Sequence, residues 1–369
     1  MRVLGFMTGT SLDAVDMAVL HTDGARILNL GPCGERKLSV GARTVLEEAT
    51  RQALEWGREA PAPAIFAEAA RAVADEHIAA ARGFFSANGV TAADLDFIGL
   101  HGQTVRHEPP TPGRPGRTVQ LVDAARVADA LGLPVAFEFR TADVAAGGQG
   151  APLAPVYHAA LADWSGLERP VAILNLGGVG NITLVTADGE LEAFDTGPAN
   201  GMVDLWVQRH TSERFDADGR YAAAGRVDET ALAELLNHPY FTAEGPKSLD
   251  RFDFSFAPVE ALSVPDGAAT LTAFAAQAVA IGIRRCRTAP RRVIACGGGR
   301  HNPVLMRELA ACAGVPVQAA EAVGWRGDAI EAEAFAYLAA RTARGLPISF
   351  PGTTGVPHPM TGGRIVRPS

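Results

Sequence analysis

Cysteine is scarce in this chain, basic charge is outnumbered, and long apolar runs are missing. Four cysteines occur, Cys33, Cys286, Cys296 and Cys312, with no Cys-x-x-Cys spacing and no paired histidines. That argues against a zinc site or a disulfide framework, and for a reducing compartment. Lysine and arginine number 33 against 41 aspartates and glutamates, giving a formal net charge of -8. Nucleic acid or an anionic membrane would want a basic face, so neither is expected as a partner. An anionic small substrate held by a few local arginines is not excluded. No run approaches the roughly 20 apolar residues of a membrane helix. The apolar stretch from Val3 to Met7 is too short for a signal peptide. A cytoplasmic enzyme is the simplest expectation.

What is present is a globular composition, 369 residues of which 47% are hydrophobic. Single cores rarely grow beyond about 250–300 residues, so two domains are expected. Strand, turn and helix patterns then recur in the same order. Val3 to Met7, Val15 to Leu20 and Ala25 to Leu30 read as three strands, with an Asp23-Gly24 hairpin signal between the last two. Downstream, Val171 to Leu176, Asn181 to Val185 and Leu191 to Phe194 repeat the meander around Asp188-Gly189. Phe97 to Leu100 ends at His101-Gly102-Gln103-Thr104, and its counterpart Val293 to Cys296 ends at Gly297-Gly298-Gly299. Helical patterns follow both, near Leu121–Leu131 and Pro303–Ala313, and Gly132-Leu133-Pro134-Val135 is echoed by Gly314-Val315-Pro316-Val317. Each half closes on a helix, near Leu153–Leu161 and Ala329–Ala343. Alanine-rich helices, Ala62–Ala87 and Ala268–Arg285, precede the fourth strands.

The fold class expected is α/β, two duplicated lobes of 1–165 and 166–369 facing each other across a cleft. Strand-to-turn glycines, Gly177 and Gly178 among them, would line it and offer backbone N–H groups to phosphate. One large mixed α/β domain is the alternative.

Several turns carry groups suited to chemistry. Gly9-Thr10-Ser11 offers backbone amides and two hydroxyls to a phosphate chain, though a plain hairpin turn explains it as well. Asp13 could hold Mg²⁺ through water, while Asp16 caps or pairs. Asp195 ends an apolar strand just before Gly197-Pro198, where a partly desolvated carboxylate could serve as general base. A cap for the helix beginning near Asn200 is the equal alternative. Gly297-Gly298-Gly299 lets a charged or flat ligand approach the backbone, and Asn302 caps a helix opened by Pro303. His101 to Thr104, with Val105-Arg106-His107 after them, and Arg140, Asp143 and the Gly147-Gly148-Gln149-Gly150 loop look built for a hydroxylated or carboxylated ligand.

These residues resemble the anhydro-N-acetylmuramic acid kinases of the sugar kinase, heat-shock chaperone and actin superfamily. The matching stretches run almost end to end: Gly5 to Asp16, His101 to Thr104, Phe139 to Leu153, Leu174 to Gly178, Phe194 to Pro198, Gly245-Pro246-Lys247-Ser248, and Cys296 to Gly299. The resemblance implies an actin-like, ribonuclease H-like duplicated fold with a central nucleotide cleft. It implies that ATP, water and 1,6-anhydro-N-acetylmuramic acid give N-acetylmuramic acid 6-phosphate and ADP, a step in peptidoglycan recycling. Asp195 matches the family's base, and Glu331 aligns with a glutamate that helps position the sugar. Gly9 to Asp16 would hold the ATP phosphates and Mg²⁺, Asp13 being the metal candidate. Gly297 to Gly299 would lie nearer the nucleotide, and His101 to Thr104 and Arg140 to Asp143 around the sugar. A homodimer is implied. Three departures stand out: Thr8 for a usual Ser, Ala14 for a usual Gly, which must then avoid positive φ, and Leu249-Asp250 before Arg251 for the customary Thr-Gly. Another sugar kinase of the same fold, or a sensor without turnover, are the rival readings.

Overall fold

The computed structural model describes residues 1–9, 12–242 and 254–369. Its contacts divide the chain into two compact units, Met1–Trp164 with Ala329–Ser369, and Ser165–Asp328.

The first unit opens with the expected meander, β1 (Arg2–Thr8), β2 (Ala14–Thr22) and β3 (Ile27–Lys37), followed by α1 (Val40–Glu55) and α2 (Ile65–Asn88). Next come β4 (Phe97–Leu100), a two-stranded ribbon of β5 (Gln103–Glu108) and β6 (Arg117–Leu121), and α3 (Ala124–Leu131). Then follow β7 (Val135–Phe137), α4 (Thr141–Ala145) and α5 (Pro155–Trp164). The central strand β1 is buried along nearly its whole length, which suits its unbroken apolar run. It pairs antiparallel with β2 and parallel with β4. Helix ends follow local chemistry: Ser39 accepts from the Ala42 amide to open α1, Asp123 does the same for α3, and α2 stops at Gly89 in the left-handed region.

The second unit repeats the plan. β8 (Val171–Leu176), β9 (Val179–Val185) and β10 (Leu191–Pro198) form an antiparallel meander. Then come α6 (Asn200–His210), α7 (Arg220–Ala224), α8 (Glu229–Leu236) and α9 (Val264–Arg285). β11 (Val293–Cys296) runs parallel to β8, and α10 (Pro303–Cys312) leads to β12 (Val317–Ala319), parallel to β11. One side of α9 packs on the sheet through Ala275, Ala276 and Val279. Its other side meets α6 and α8 through Leu271 and Phe274. By length and composition α9 could cross a membrane, although Asp266, Gln277 and the terminal arginines interrupt its apolar residues. Its most apolar window is 83% buried in the unit, as a central core helix must be.

α11 (Ile330–Ala343), α12 (Pro351–Thr354) and β13 (Arg364–Val366) complete the first unit. Residues 329–369 therefore group with the first unit, whereas the sequence reading counted them with the second. The reason is steric: α11 lies on β1, β2 and β4, close against Gly5, Ala18 and Gly99. A Cβ on Gly5 would stand 1.9 Å from the Ala332 carbonyl oxygen, and one on Gly99 2.2 Å from that of Phe335.

The two larger sheets have the orders β13-β7-β4-β1-β2-β3 and β10-β9-β8-β11-β12. With the edge strand β13 set aside, both follow one rule: a three-stranded antiparallel meander, then two parallel strands added beside its first member. This is the ribonuclease H-like arrangement made twice.

Gly99→Ala is expected to destabilise the protein by about 3 kcal/mol through overpacking. Gly83, in the middle of α2, has open space where a Cβ would go. Gly83→Ala is therefore expected to stabilise by about 0.5–1 kcal/mol. Urea midpoints of the two variants, moving in opposite directions, check the pair.

Candidate functional site

In the second unit three turns meet at one edge of the sheet. Gly177-Gly178 joins β8 to β9, and the amides at the start of α6 close onto it. Asn200 N–H donates to the Gly177 carbonyl at 3.0 Å, and Ala199 and Gly201 donate to that of Gly178 at 3.1 Å. Beside them β11 ends with Cys296 opposite Asn175. Gly297 follows with φ +74, and a Cβ there would strike the Asn175 Oδ1 at 2.2 Å. A Cβ on Gly299 would sit 2.6 Å from that of Leu176 and 3.0 Å from the Asn200 amide nitrogen. Among the described residues, its chain neighbours aside, none has an atom within 4 Å of the Cβ position of Gly298. The triple-glycine turn is thus pressed onto Asn175, Leu176 and Asn200 on one side and open on the other, the shape a phosphate chain or a flat ring needs. Asn302 accepts from the Val304 and Leu305 amides, capping α10 as its sequence predicts.

Asp195 lies in β10 opposite Asn181, at the irregularity before Gly197. It is half-buried. The Tyr240 hydroxyl donates to its backbone carbonyl. It does not cap α6, whose N-cap is Ala199 without a side-chain hydrogen bond. Gly197 turns the other way: its Cβ position is 2.6 Å from Ala278 of α9, so its packing is against the core helix.

In the first unit, Thr8 ends β1 and its hydroxyl lies 3.2 Å from His77 Nε2, while His77 Nδ1 lies 2.7 Å from the Val73 carbonyl. Nδ1 therefore carries the proton and the Thr8 hydroxyl donates. Burial holds His77 down at about 4, so it stays neutral. Gly9 accepts from the Leu12 amide at 3.2 Å, and Leu12 has φ 55. Thr10 and Ser11 lie outside the described residues, as do Gly245 to Ser248 and Leu249 to Arg251. Ala14 begins β2 in an ordinary extended conformation. Asp13 is half-exposed and pairs with Arg43 at 2.8 Å. Asp16 sits inside the sheet between Met7 and Glu35. Among the described residues no group of three His, Cys, Asp or Glu could hold a metal ion.

The polar loops of this unit interlock. Arg140 Nε donates to His101 Nε2 at 3.0 Å and Nη1 donates to the Gly150 carbonyl at 2.8 Å. Burial, reinforced by the Arg140 charge, drives the His101 pKa well below the histidine range. His101 is thus a neutral acceptor. Burial also lowers Arg140 to about 10, against the pull of Glu331 and Asp143, so it remains a cation at neutral pH. Solvent reaches Glu331 in the first turn of α11, but the protein around its carboxyl raises its pKa while Arg140 opposes.

Asp143 is buried and holds the glycine-rich loop: it accepts from the Gly150 amide and from the Thr354 hydroxyl, both at 2.6 Å. The Gln149 amide donates to the Thr354 carbonyl at 2.7 Å, leaving the Gln149 side chain half-buried. Gly102 turns the chain into the ribbon with φ +77. Gln103 is buried, and its side-chain carbonyl oxygen has no partner among the described residues, which a water or a ligand hydroxyl would satisfy. Thr104 accepts from Gln120 at 3.2 Å. Thr354 and His77 belong to this constellation, and no spacing in the sequence connects them to it.

A ribonuclease H-like sheet made twice, with glycine turns gathered at strand ends, defines the actin-like class to which the sugar kinases belong. The chain is a member of the anhydro-N-acetylmuramic acid kinase family, whose sequence pattern matches residues 1–368. The family's curated protein from Caulobacter vibrioides is 64% identical over 366 residues, covering 99% of each chain. That of Phenylobacterium zucineum is 61% identical over 368 residues, covering 100% of each. Among solved structures, an activator of the 2-hydroxyisocaproyl-CoA dehydratase from Clostridium difficile with bound ADPNP is similar at a TM-score of 0.46. It shares 12% identity and covers 94% of this chain and 97% of that one.

Beside the glycine turns, α6 buries a titrating carboxylate. Burial pushes Asp204 up to about 7, the Asp216 charge adds to this, and the Asp216 amide opposes it. The folded state therefore binds a proton that the unfolded chain releases near pH 4. Stability from this group is full below that pH and is lost as pH rises through about 7. Asp204→Asn is expected to raise the melting point at pH 8, a gain on the order of 2 kcal/mol, and to leave it unchanged near pH 4. Thermal melts at the two pH values check it.

Proposed function

We propose that this protein is an ATP-dependent kinase that opens the internal bridge of 1,6-anhydro-N-acetylmuramic acid in the cytoplasm. Water adds to the anomeric carbon, the bond from that carbon to the 6-oxygen breaks, and the 6-oxygen takes the γ-phosphoryl group. N-acetylmuramic acid 6-phosphate and ADP leave, and the sugar returns to cell-wall recycling. The full-length family match carries this reading.

Asp195 is the residue assigned to deprotonate the water. Its support is its place within β10 at the irregularity before Gly197, half-buried, with the cap of α6 supplied by Ala199 instead. Gly177, Gly178 and Gly297 to Gly299 are assigned to the nucleotide, since their turns converge and Gly298 is open. Gly9, Thr10, Ser11 and Asp16 complete the phosphate side in this reading, and Gly197 is assigned to the nucleotide with them through its backbone, its Cβ side being against Ala278. His101, Gly102, Gln103, Thr104, Arg140 and Gln149 are assigned to the sugar, with Glu331 orienting it and Asp143 fastening the loop. Mg²⁺ would come with the ATP phosphates, neutralising charge on them, as suits a hard ion that keeps several waters. Asp13 would reach it only through water and by sharing its carboxylate with Arg43. Most of the acceleration would come from positioning and electrostatics. A homodimer is part of this proposal.

ADP release, measured with ATP and Mg²⁺ on the anhydro sugar, on N-acetylmuramic acid and on N-acetylglucosamine, tests the assignment. Turnover with the anhydro sugar alone is expected. Turnover only with an unbridged sugar would retain a kinase and discard this substrate, and no turnover at all would favour a sensor. Asp195→Asn is expected to cut turnover by at least about 10²-fold while ADP binding persists. Near-normal turnover in that variant would remove Asp195 from the mechanism.

A further inference from the structure

Arg300 directly follows the triple-glycine turn, where an arginine invites assignment as a phosphate ligand. Its geometry points elsewhere. The side chain is 2% exposed, and all five of its N–H groups are spent within the unit. Nε donates to Glu321 Oε1 and Oε2 at 3.0 and 3.1 Å, and Nη2 donates to Glu321 Oε1 at 2.7 Å. Nη1 and Nη2 grip Asp328 Oδ1 and Oδ2, each at 2.7 Å. The remaining Nη1 hydrogen goes to the Gly297 carbonyl at 2.9 Å. Gly327 closes the arrangement: a Cβ there would lie 2.3 Å from Nε and 2.4 Å from Cζ, so only glycine lets the backbone lie on the guanidinium.

We infer that Arg300 is a positioning residue for nucleotide binding, which locks the Gly297–Gly299 turn by holding the Gly297 carbonyl while Glu321 and Asp328 hold Arg300. The inference rests on the assignment of that turn to the nucleotide. The carbonyl of Gly297 and the amides that follow it belong to one rigid turn, so fixing the carbonyl fixes the direction of the N–H groups after it. A planar fork with two bidentate carboxylates and one carbonyl is a task lysine cannot perform. Glu321 and Asp328 together bring two negative charges to one positive, so Arg300 has no surplus charge to offer a phosphate.

The carboxylates give a test whose sign distinguishes positioning from direct contact. If Arg300 touched phosphate, freeing it from a carboxylate would strengthen ADP binding. If it positions the turn, Asp328→Asn and Glu321→Gln each loosen the arginine and weaken ADP binding, although each removes a negative charge. Calorimetric titration of the full-length protein with ADP at fixed salt reads this. A loss of about tenfold is expected for Asp328→Asn, and more for Arg300→Met, with Arg300→Lys between them. The KM for the sugar should stay within about twofold, because the effect is confined to the nucleotide turn. Tighter or unchanged ADP binding in Asp328→Asn and Glu321→Gln, in variants whose melts show them folded, would overturn the inference. Wild-type protein that binds no ADP would instead overturn the nucleotide assignment itself, and this inference with it.

Discussion

The first unit depends on backbone-to-backbone contact between α11 and its sheet. Ala332 and Phe335 present carbonyl oxygens where Gly5 and Gly99 have no side chain, and Ala336 and Ala339 line the same approach. Such packing leaves no slack, since interiors are as dense as organic crystals and cannot absorb even a methyl group cheaply. Other ties follow from it. The Tyr337 hydroxyl donates to Ala25, Arg341 to Gly24 and Pro347, and Thr342 to Gly362, so one helix fastens the β2–β3 turn and the C-terminal segment. Because the helix cannot slide, Glu331 in its first turn is held in one place beside Arg140. Its role in the proposed chemistry requires that constancy.

Electrostatics in this unit is governed by removal of water. His77 and His101 are both kept neutral by burial, and each is given a defined tautomer by a single partner, the Val73 carbonyl for one and Arg140 for the other. A neutral imidazole accepts where a cation could only donate, so Thr8 and Arg140 point their hydrogens inward at fixed angles. Removing charge from the histidines leaves Arg140 as the buried cation, balanced by Asp143 and Glu331.

Much of this was legible in the residues. Val171–Leu176, Phe97–Leu100 and Val293–Cys296 coincide with strands because each is a short apolar run ended by glycine or a polar turn. The order of the two sheets follows from that repetition. The pattern reading contains no α1, although Ala42, Leu46, Ala49 and Ala53 recur at helical spacing on its buried face. It also contains neither the β5–β6 ribbon nor β13. The ribbon is held by a cluster in which Glu108 meets the nearby Arg106, Arg114 and Arg117 and the distant Arg58, and all three residues of β13 pair with the distant β7. The glycine turns could be named as ligand sites, but not the groups that hold them. Glu321 lies in a short 3-10 turn and Asp328 in the turn before α11, and Thr354 is 211 residues from the aspartate it serves. No local period encodes such contacts.

The Asp143–Thr354 bond ties a loop to a hydroxyl 211 residues further along the chain, made well after it. A ribosome releases the strands β1 to β7 first and then the whole of residues 165–328, a continuous stretch with its own core. During that interval the sheet of the first unit has no α11 on its glycine face, and the glycine-rich loop has no Thr354 to close on. Apolar surface waiting in this way is the kind that aggregates or recruits chaperones. Residues 1–164 therefore cannot complete their unit until residues 329–369 have followed. Translation speed through residues 165–328 sets how long they must wait.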